Sequence, residues 1–147
     1  MAVSVRESRT VWTGDVQGGK GIVNGVSGAF KDTEITLPKR ADQGDTASPE
    51  EFLAAAHSGC LAMNLAATLT QNGTPPDELD VTSKVGFGPK DGGGFQIAHA
   101  NVTIKGKVPG MTEAEFKDLA TKAEQTCPVA NLFRGNTEMQ VDIQFEG

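Results

Sequence analysis

The stretch Ser48-Pro-Glu-Glu-Phe-Leu-Ala-Ala-Ala-His57-Ser-Gly-Cys60-Leu-Ala-Met63-Asn-Leu-Ala-Ala-Thr-Leu-Thr-Gln-Asn72-Gly73 decides the fold. Ser48 is a favoured N-cap, and Pro49 suits the first helical position, where its missing N–H leaves no bond unmade. Glu51 stands three residues after Ser48, the spacing of a capping box. Phe52, Ala56, Cys60, Met63 and Ala67 then recur at helical spacing until Asn72-Gly73 and Thr74-Pro75-Pro76 stop the run. The reading is a mostly apolar helix of about six turns, from Ser48 to Asn72, with a cysteine in its middle.

Upstream, glycines at 14, 18, 19, 21, 25 and 28 punctuate short apolar pieces such as Val11 to Thr13 and Gly21 to Val26, which predicts two or three hairpin strands. Downstream, Leu79, Val81, Ser83, Val85 and Phe87 alternate, and Phe95 to Val108 forms a second run. The two make a hairpin whose loop, Pro89 to Gly94, is expected to be mobile. Thr112 with Glu115 is another capping box, opening a helix with Phe116, Leu119, Ala120 and Ala123 on one face that ends near Cys127. Pro128 starts a short helical piece that Gly135 closes, and Met139, Val141, Ile143 and Phe145 alternate as a last strand. Strands bunch and helices interrupt them, so the fold class is α+β, antiparallel sheets around a long central helix. With no repeat, low-complexity segment or linker, residues 1–147 read as a single domain.

At 147 residues such a domain buries roughly 70% of its unfolded surface and needs no disulfide to hold it together. The N-terminus carries no apolar stretch ahead of a cleavage site, and no apolar run approaches the roughly 18 residues of a membrane span. A soluble cytoplasmic protein without a membrane partner is expected. In that compartment a cysteine pair points to transient redox chemistry or a metal rather than a permanent bridge. The net charge of −6 opposes a phosphate backbone, so nucleic acid is not an expected partner.

Cys60 and Cys127 are the two cysteines, and two small hydrophobes in a core is their bland reading. Small side chains flank Cys60, in Ala54-Ala-Ala-His-Ser-Gly-Cys60, and a buried thiol there tends toward a raised pKa. It lies about 12 residues past the cap, roughly 18 Å along the axis, too far for the helix terminus to ionise it. His57 and Arg40 are the nearby sources of positive charge, and Arg40 is the better one: always cationic, it can be held by Glu50 while another donor faces the sulfur. A surface ion pair of Arg40 and Glu50 remains the plain alternative. Cys127 precedes Pro128 at the cap of a helical turn, where amides and dipole favour a thiolate, so on local grounds it is the more acidic thiol. His57, His99 and Cys127 could be imagined around zinc, but their spacing fits no strong zinc signature. A helix-face His57 bonded to backbone is the simpler expectation.

The segment Thr46-Ala-Ser-Pro-Glu50-Glu-Phe-Leu-Ala-Ala-Ala-His-Ser-Gly-Cys60, with Cys127-Pro-Val, resembles the OsmC/Ohr family of thiol peroxidases. The likeness also takes in Trp12-Thr-Gly-Asp15, Gly19-Lys-Gly21, Arg40 ten residues before Glu50, and Val108-Pro-Gly110. The context of His57 and the position of the arginine look like the OsmC branch, since an aromatic residue usually replaces that histidine in the organic hydroperoxide resistance branch. Ser48 departs from the family's usual asparagine, and both residues cap helices well. The resemblance implies that Cys60 is the peroxidatic and Cys127 the resolving cysteine. It makes Arg40 and Glu50 the pair that activates thiolate and peroxide, and implies an intertwined homodimer without a cofactor or metal. Against the local argument for Cys127, it assigns the first attack to Cys60.

On that resemblance the expected chemistry is attack of the Cys60 thiolate on a peroxide oxygen, a sulfenic acid, a Cys60–Cys127 disulfide, and reopening by an external dithiol of the lipoyl type or another thiol. Apolar residues Phe52, Leu53 and Met63 suggest organic hydroperoxides ahead of hydrogen peroxide. A non-enzymatic dimer that binds a small apolar ligand or senses redox state is the alternative. One geometric expectation follows: in a straight helix Glu50 and Cys60 stand roughly 15 Å apart along the axis. Either the helix is interrupted between them, or the Arg40–Glu50 pair serves the Cys60 of the other subunit.

Overall fold

The computed structural model describes residues 2–42 and 45–147 of the chain. Six strands and four helices follow in the order β1 (Ser8–Thr13), β2 (Lys20–Gly25), β3 (Thr33–Ile35), α1 (Leu37–Ala41), α2 (Pro49–Gln71), β4 (Glu78–Pro89), β5 (Phe95–Lys107), α3 (Glu113–Gln125), α4 (Pro128–Phe133) and β6 (Glu138–Phe145). The class is α+β, as the sequence indicates. The chain forms two compact units, Met1–Phe52 and Leu53–Gly147, whose boundary falls in the first turn of α2.

In the first unit β1, β2 and β3 form an antiparallel sheet in sequence order. Phe30 lies against Phe52, ring centroids 5.1 Å apart, and its ring also fills the space that a Cβ on Gly25 would need. That close approach is the physical reason for a glycine at the end of β2. Helix α1, which the sequence did not foretell, is a single turn capped by Thr36, whose hydroxyl accepts from the Lys39 amide at 3.3 Å. Five residues are too few to carry a periodic signal, yet this turn is what presents Arg40.

Helix α2 has the expected start: the Glu51 amide donates to Ser48 Oγ at 3.1 Å. It runs unbroken from Pro49 to Gln71, so the first of the two alternatives, an interruption between Glu50 and Cys60, is absent. Its buried stripe corrects the face assigned from sequence. His57, Leu61, Leu65 and Leu69, at fourfold spacing, have no exposed surface, while Ala56 and Ala67 are exposed and Met63 is 76% exposed. The polar His57 takes a core position, and the apolar Met63 faces outward. Against the expectation that no apolar run is long enough, α2 is by length and composition long and apolar enough to cross a membrane. Its alanines and leucines give it that composition even though Ser58, Asn64, Thr68 and Thr70 interrupt the run. The Leu61–Leu65–Leu69 stripe nonetheless packs into the protein's own core.

In the second unit β4 and β5 form the expected hairpin, and β6 joins β5 on its other side in parallel register. A parallel neighbour needs a crossover, and α3 with α4 supplies it. One face of this sheet carries Val81, Ile104 and Ile143 in a row, then Ser83, Val102 and Val141, then Val85, Ala100 and Met139. The α2 leucines pack on this face with Phe116, Ala120 and Ala123 of α3. Gly106 lies directly under the Phe116 ring, where a Cβ would collide. The Pro89–Gly94 loop, expected to be mobile, is a hydrogen-bonded turn in which Lys90 donates to Gly94 O and Gly93 to Lys90 O, both at 3.0 Å. Gly92, Gly93 and Gly94 all take positive φ there.

Candidate functional site

Two sets of side chains carry chemistry. In the first, α1 brings Arg40 to the start of α2, where the guanidinium forks onto Glu50. Nη2 donates to Oε1 at 2.7 Å, and Nε donates to Oε1 at 3.0 Å and Oε2 at 3.2 Å. Glu50 is buried and Arg40 about one-third exposed, so the pair is not the fully solvated surface contact of the plain alternative. Beside it lies a cavity of about 120 Å3, walled by Trp12, Val16, Ile35, Leu37, Pro49 and the Arg40 side chain. Its walls are mostly apolar, with Thr36 and the guanidinium the polar members.

In the second set the two cysteines meet. Cys60 is half-buried on α2, Cys127 is fully buried at the N-cap of α4, and both are free thiols. The Cys127 thiol donates to Cys60 Sγ at 3.5 Å. Sixty-seven residues separate them, and the packing of α2 against the α3–α4 corner closes that gap. Local sequence made Cys127 an acidic thiol, and its surroundings in the fold work the other way. The Ala130 amide does donate to its sulfur at 3.5 Å. Burial pushes the thiol pKa up, however, and the bond to Cys60 adds to the rise, together outweighing the Ala130 and Val129 amides that lower it. A single turn of helix offers only a few amides and a short dipole, too little to offset loss of water.

His57 lies one turn before Cys60, buried, with Nδ1 2.8 Å from Ser83 Oγ. Its partner is thus a side chain on β4 and not the backbone. The ring packs on Phe133 at 5.1 Å between centroids. Nε2 is buried without a partner. Burial lowers the imidazole pKa, Glu124 opposes this and Arg134 lowers it further. His99 belongs to β5 and lies over Gly86, and among the described residues no three His, Cys, Asp or Glu side chains converge as a metal site would require.

Glu124 and Arg134 escaped the sequence reading. Glu124 is buried on α3 and bonds Arg134, whose Nη2 donates to Oε1 at 2.6 Å. A signal was available, for Glu124 follows Phe116 and Ala120 at fourfold spacing, putting a carboxylate on the buried stripe. Such a group requires a cation.

Two reduced sulfurs, one half-open to solvent and one sealed, lie in van der Waals contact, a separation that a small approach would close into a disulfide. The model of the OsmC-like protein family matches residues 42–142, and the chain belongs to that family. It is 29% identical over 141 residues to the peroxiredoxin OsmC of Escherichia coli (strain K12), covering 96% of both chains. Over 115 residues it is 33% identical to an organic hydroperoxide resistance protein of Xanthomonas axonopodis pv. citri, covering 76% of this chain and 78% of that one. Among solved structures, an organic hydroperoxide resistance protein from Elizabethkingia anophelis superposes with a TM-score of 0.77 at 30% identity, covering 98% of each chain.

Proposed function

We propose that the protein is a cysteine-dependent peroxidase that reduces organic hydroperoxides, and hydrogen peroxide less well, protecting the cytoplasm against oxidative stress. The observation that carries this reading is the 3.5 Å contact between Cys60 and Cys127. The names borne by relatives that match 96% and 76% of the chain support it.

Cys60, the more exposed thiol, attacks the distal peroxide oxygen as thiolate. The O–O bond breaks, the alcohol leaves with a proton, and Cys60 becomes a sulfenic acid. Cys127 gives up its proton as its sulfur attacks the Cys60 sulfur. Its proton departs with the sulfenic hydroxyl as water, and the disulfide forms. An external dithiol, of the lipoyl type or another thiol, restores both cysteines by exchange.

Arg40 and Glu50 activate thiolate and peroxide in this reading. Because the guanidinium is anchored by a buried carboxylate, it is a fixed cation able to stabilise charge developing on oxygen. The apolar walls beside it suit the alkyl group of an organic hydroperoxide. In this reading the pair acts on the Cys60 of a second subunit. The exposed Ala56, Met63 and Ala67 face supplies an apolar seam for a homodimer.

Steady-state turnover with tert-butyl hydroperoxide and hydrogen peroxide, coupled to a dithiol, tests the assignment. Cys60→Ser is expected to abolish turnover of both, and Arg40→Ala to reduce it by about 100-fold, as loss of a preorganised charge does. Equal specificity constants for the two peroxides would remove the preference for organic substrates.

A further inference from the structure

The Glu124–Arg134 pair, its carboxylate buried and its guanidinium reaching solvent, takes no part in the chemistry above, yet its bonds enclose Cys127. Arg134 follows the last residue of α4 as its C-cap. Its Nη2 donates to Glu124 Oε1 at 2.6 Å and to the Glu124 carbonyl at 3.2 Å, and its Nε donates to Asn131 Oδ1 at 3.0 Å. One guanidinium therefore binds the last turn of α3 to the far end of α4, closing residues 124–134 into a loop. Cys127 lies inside that loop, its own amide bonded to the Glu124 carbonyl at 3.3 Å.

Stability alone does not account for this arrangement. Glu124 is only 5% exposed while the Arg134 side chain is 43% exposed, and the cost of taking the carboxylate out of water offsets much of what the pair gains. What a planar, multiply bonded guanidinium does supply is direction. Phe133, held on its other side by the His57 ring, continues the same grip onto α2, the helix that carries Cys60.

We propose that Arg134 and Glu124 are positioning residues for Cys127. They fix the α3–α4 corner so that the Cys127 sulfur stays in contact with Cys60, and the disulfide closes by a small approach of the two sulfurs without the helices opening. This rests on the dithiol part of the proposed function but not on the peroxide as oxidant.

Glutathione redox buffers provide the test on the full-length protein. In the equilibrium, two protein thiols and one glutathione disulfide give the protein disulfide and two reduced glutathiones. Two electrons pass from the protein sulfurs to glutathione, and the thiol protons end on the released glutathione. The equilibrium constant is an effective concentration of one cysteine at the other. Arg134→Ala and the near-isosteric Glu124→Gln are each expected to lower it by about tenfold or more, since small misplacements of reacting groups carry penalties of that size. Arg134→Lys should restore part of the loss. Alkylation of Cys60 in a Cys127→Ser background should proceed at the same rate with or without Arg134→Ala, a readout that general loosening of the fold would change. An equilibrium constant within twofold of wild type in folded Glu124→Gln protein overturns the proposal, as does an Arg134→Ala loss matched by faster Cys60 alkylation. If wild type ignores hydroperoxides while the glutathione equilibrium shifts as described, the positioning role stands and the peroxidase reading falls.

Discussion

His57 shows how one side chain can carry a measurable consequence of its surroundings. Its pKa is lowered from the ordinary 6.5, chiefly by burial, so below that pH the unfolded chain takes up a proton that the folded protein resists. The sign follows directly: His57 imposes no such penalty well above pH 6.5 and destabilises the fold as pH falls through that value. Wild-type denaturation midpoints are expected to decline between pH 7 and pH 5, and His57→Gln to flatten that decline while lowering stability at pH 7. A slope unchanged by the substitution would mean that His57 is not the titrating group. Sequence placed this histidine one turn before the cysteine but could not find Ser83, twenty-six residues away. The error over Cys127 has the same origin. Adjacent residues disclose a helix cap, whereas burial is set by Ala130, Phe116 and the α2 leucines that only the fold brings together.

Among the elements, those with local signals were legible. The Thr112–Glu115 capping box is present with both reciprocal bonds, at 3.2 and 2.9 Å, and Ser48 opens α2 where its spacing to Glu51 indicated. Alternation in β4, β5 and β6 marked the strands but not that β6 runs parallel to β5, because period two is the same in either direction. The rotation of α2 was missed for a related reason. With alanine or leucine at so many positions, hydrophobicity alone does not tell the inner stripe from the outer. The stripe observed implies a clear difference between neighbours. Leu65→Ala, at a position with no exposed surface, is expected to cost about 2–5 kcal/mol, and Met63→Ala, two residues earlier, to leave monomer stability within about 0.5 kcal/mol. Urea unfolding at low protein concentration distinguishes them.

At the scale of the whole molecule, the proposed homodimer is tested at the exposed Met63 of α2. Met63→Asp is expected to raise the dissociation constant of the dimer by at least about tenfold, since it places an unpaired charge in an apolar seam, and sedimentation equilibrium reads this directly. If Arg40 serves the partner's sulfur, mixed dimers of Arg40→Ala and Cys60→Ser chains regain one functional site in two. Inactive mixed dimers would place the pair and the thiol in one subunit. The central claim is that Cys60 and Cys127 form a peroxide-reducing dithiol, and the most direct measurement counts free thiols after one equivalent of tert-butyl hydroperoxide. The account predicts rapid loss of both thiols in wild type, no loss in Cys60→Ser, and a trappable sulfenic acid on Cys60 in Cys127→Ser. Two unreacted thiols in the wild-type protein would contradict it.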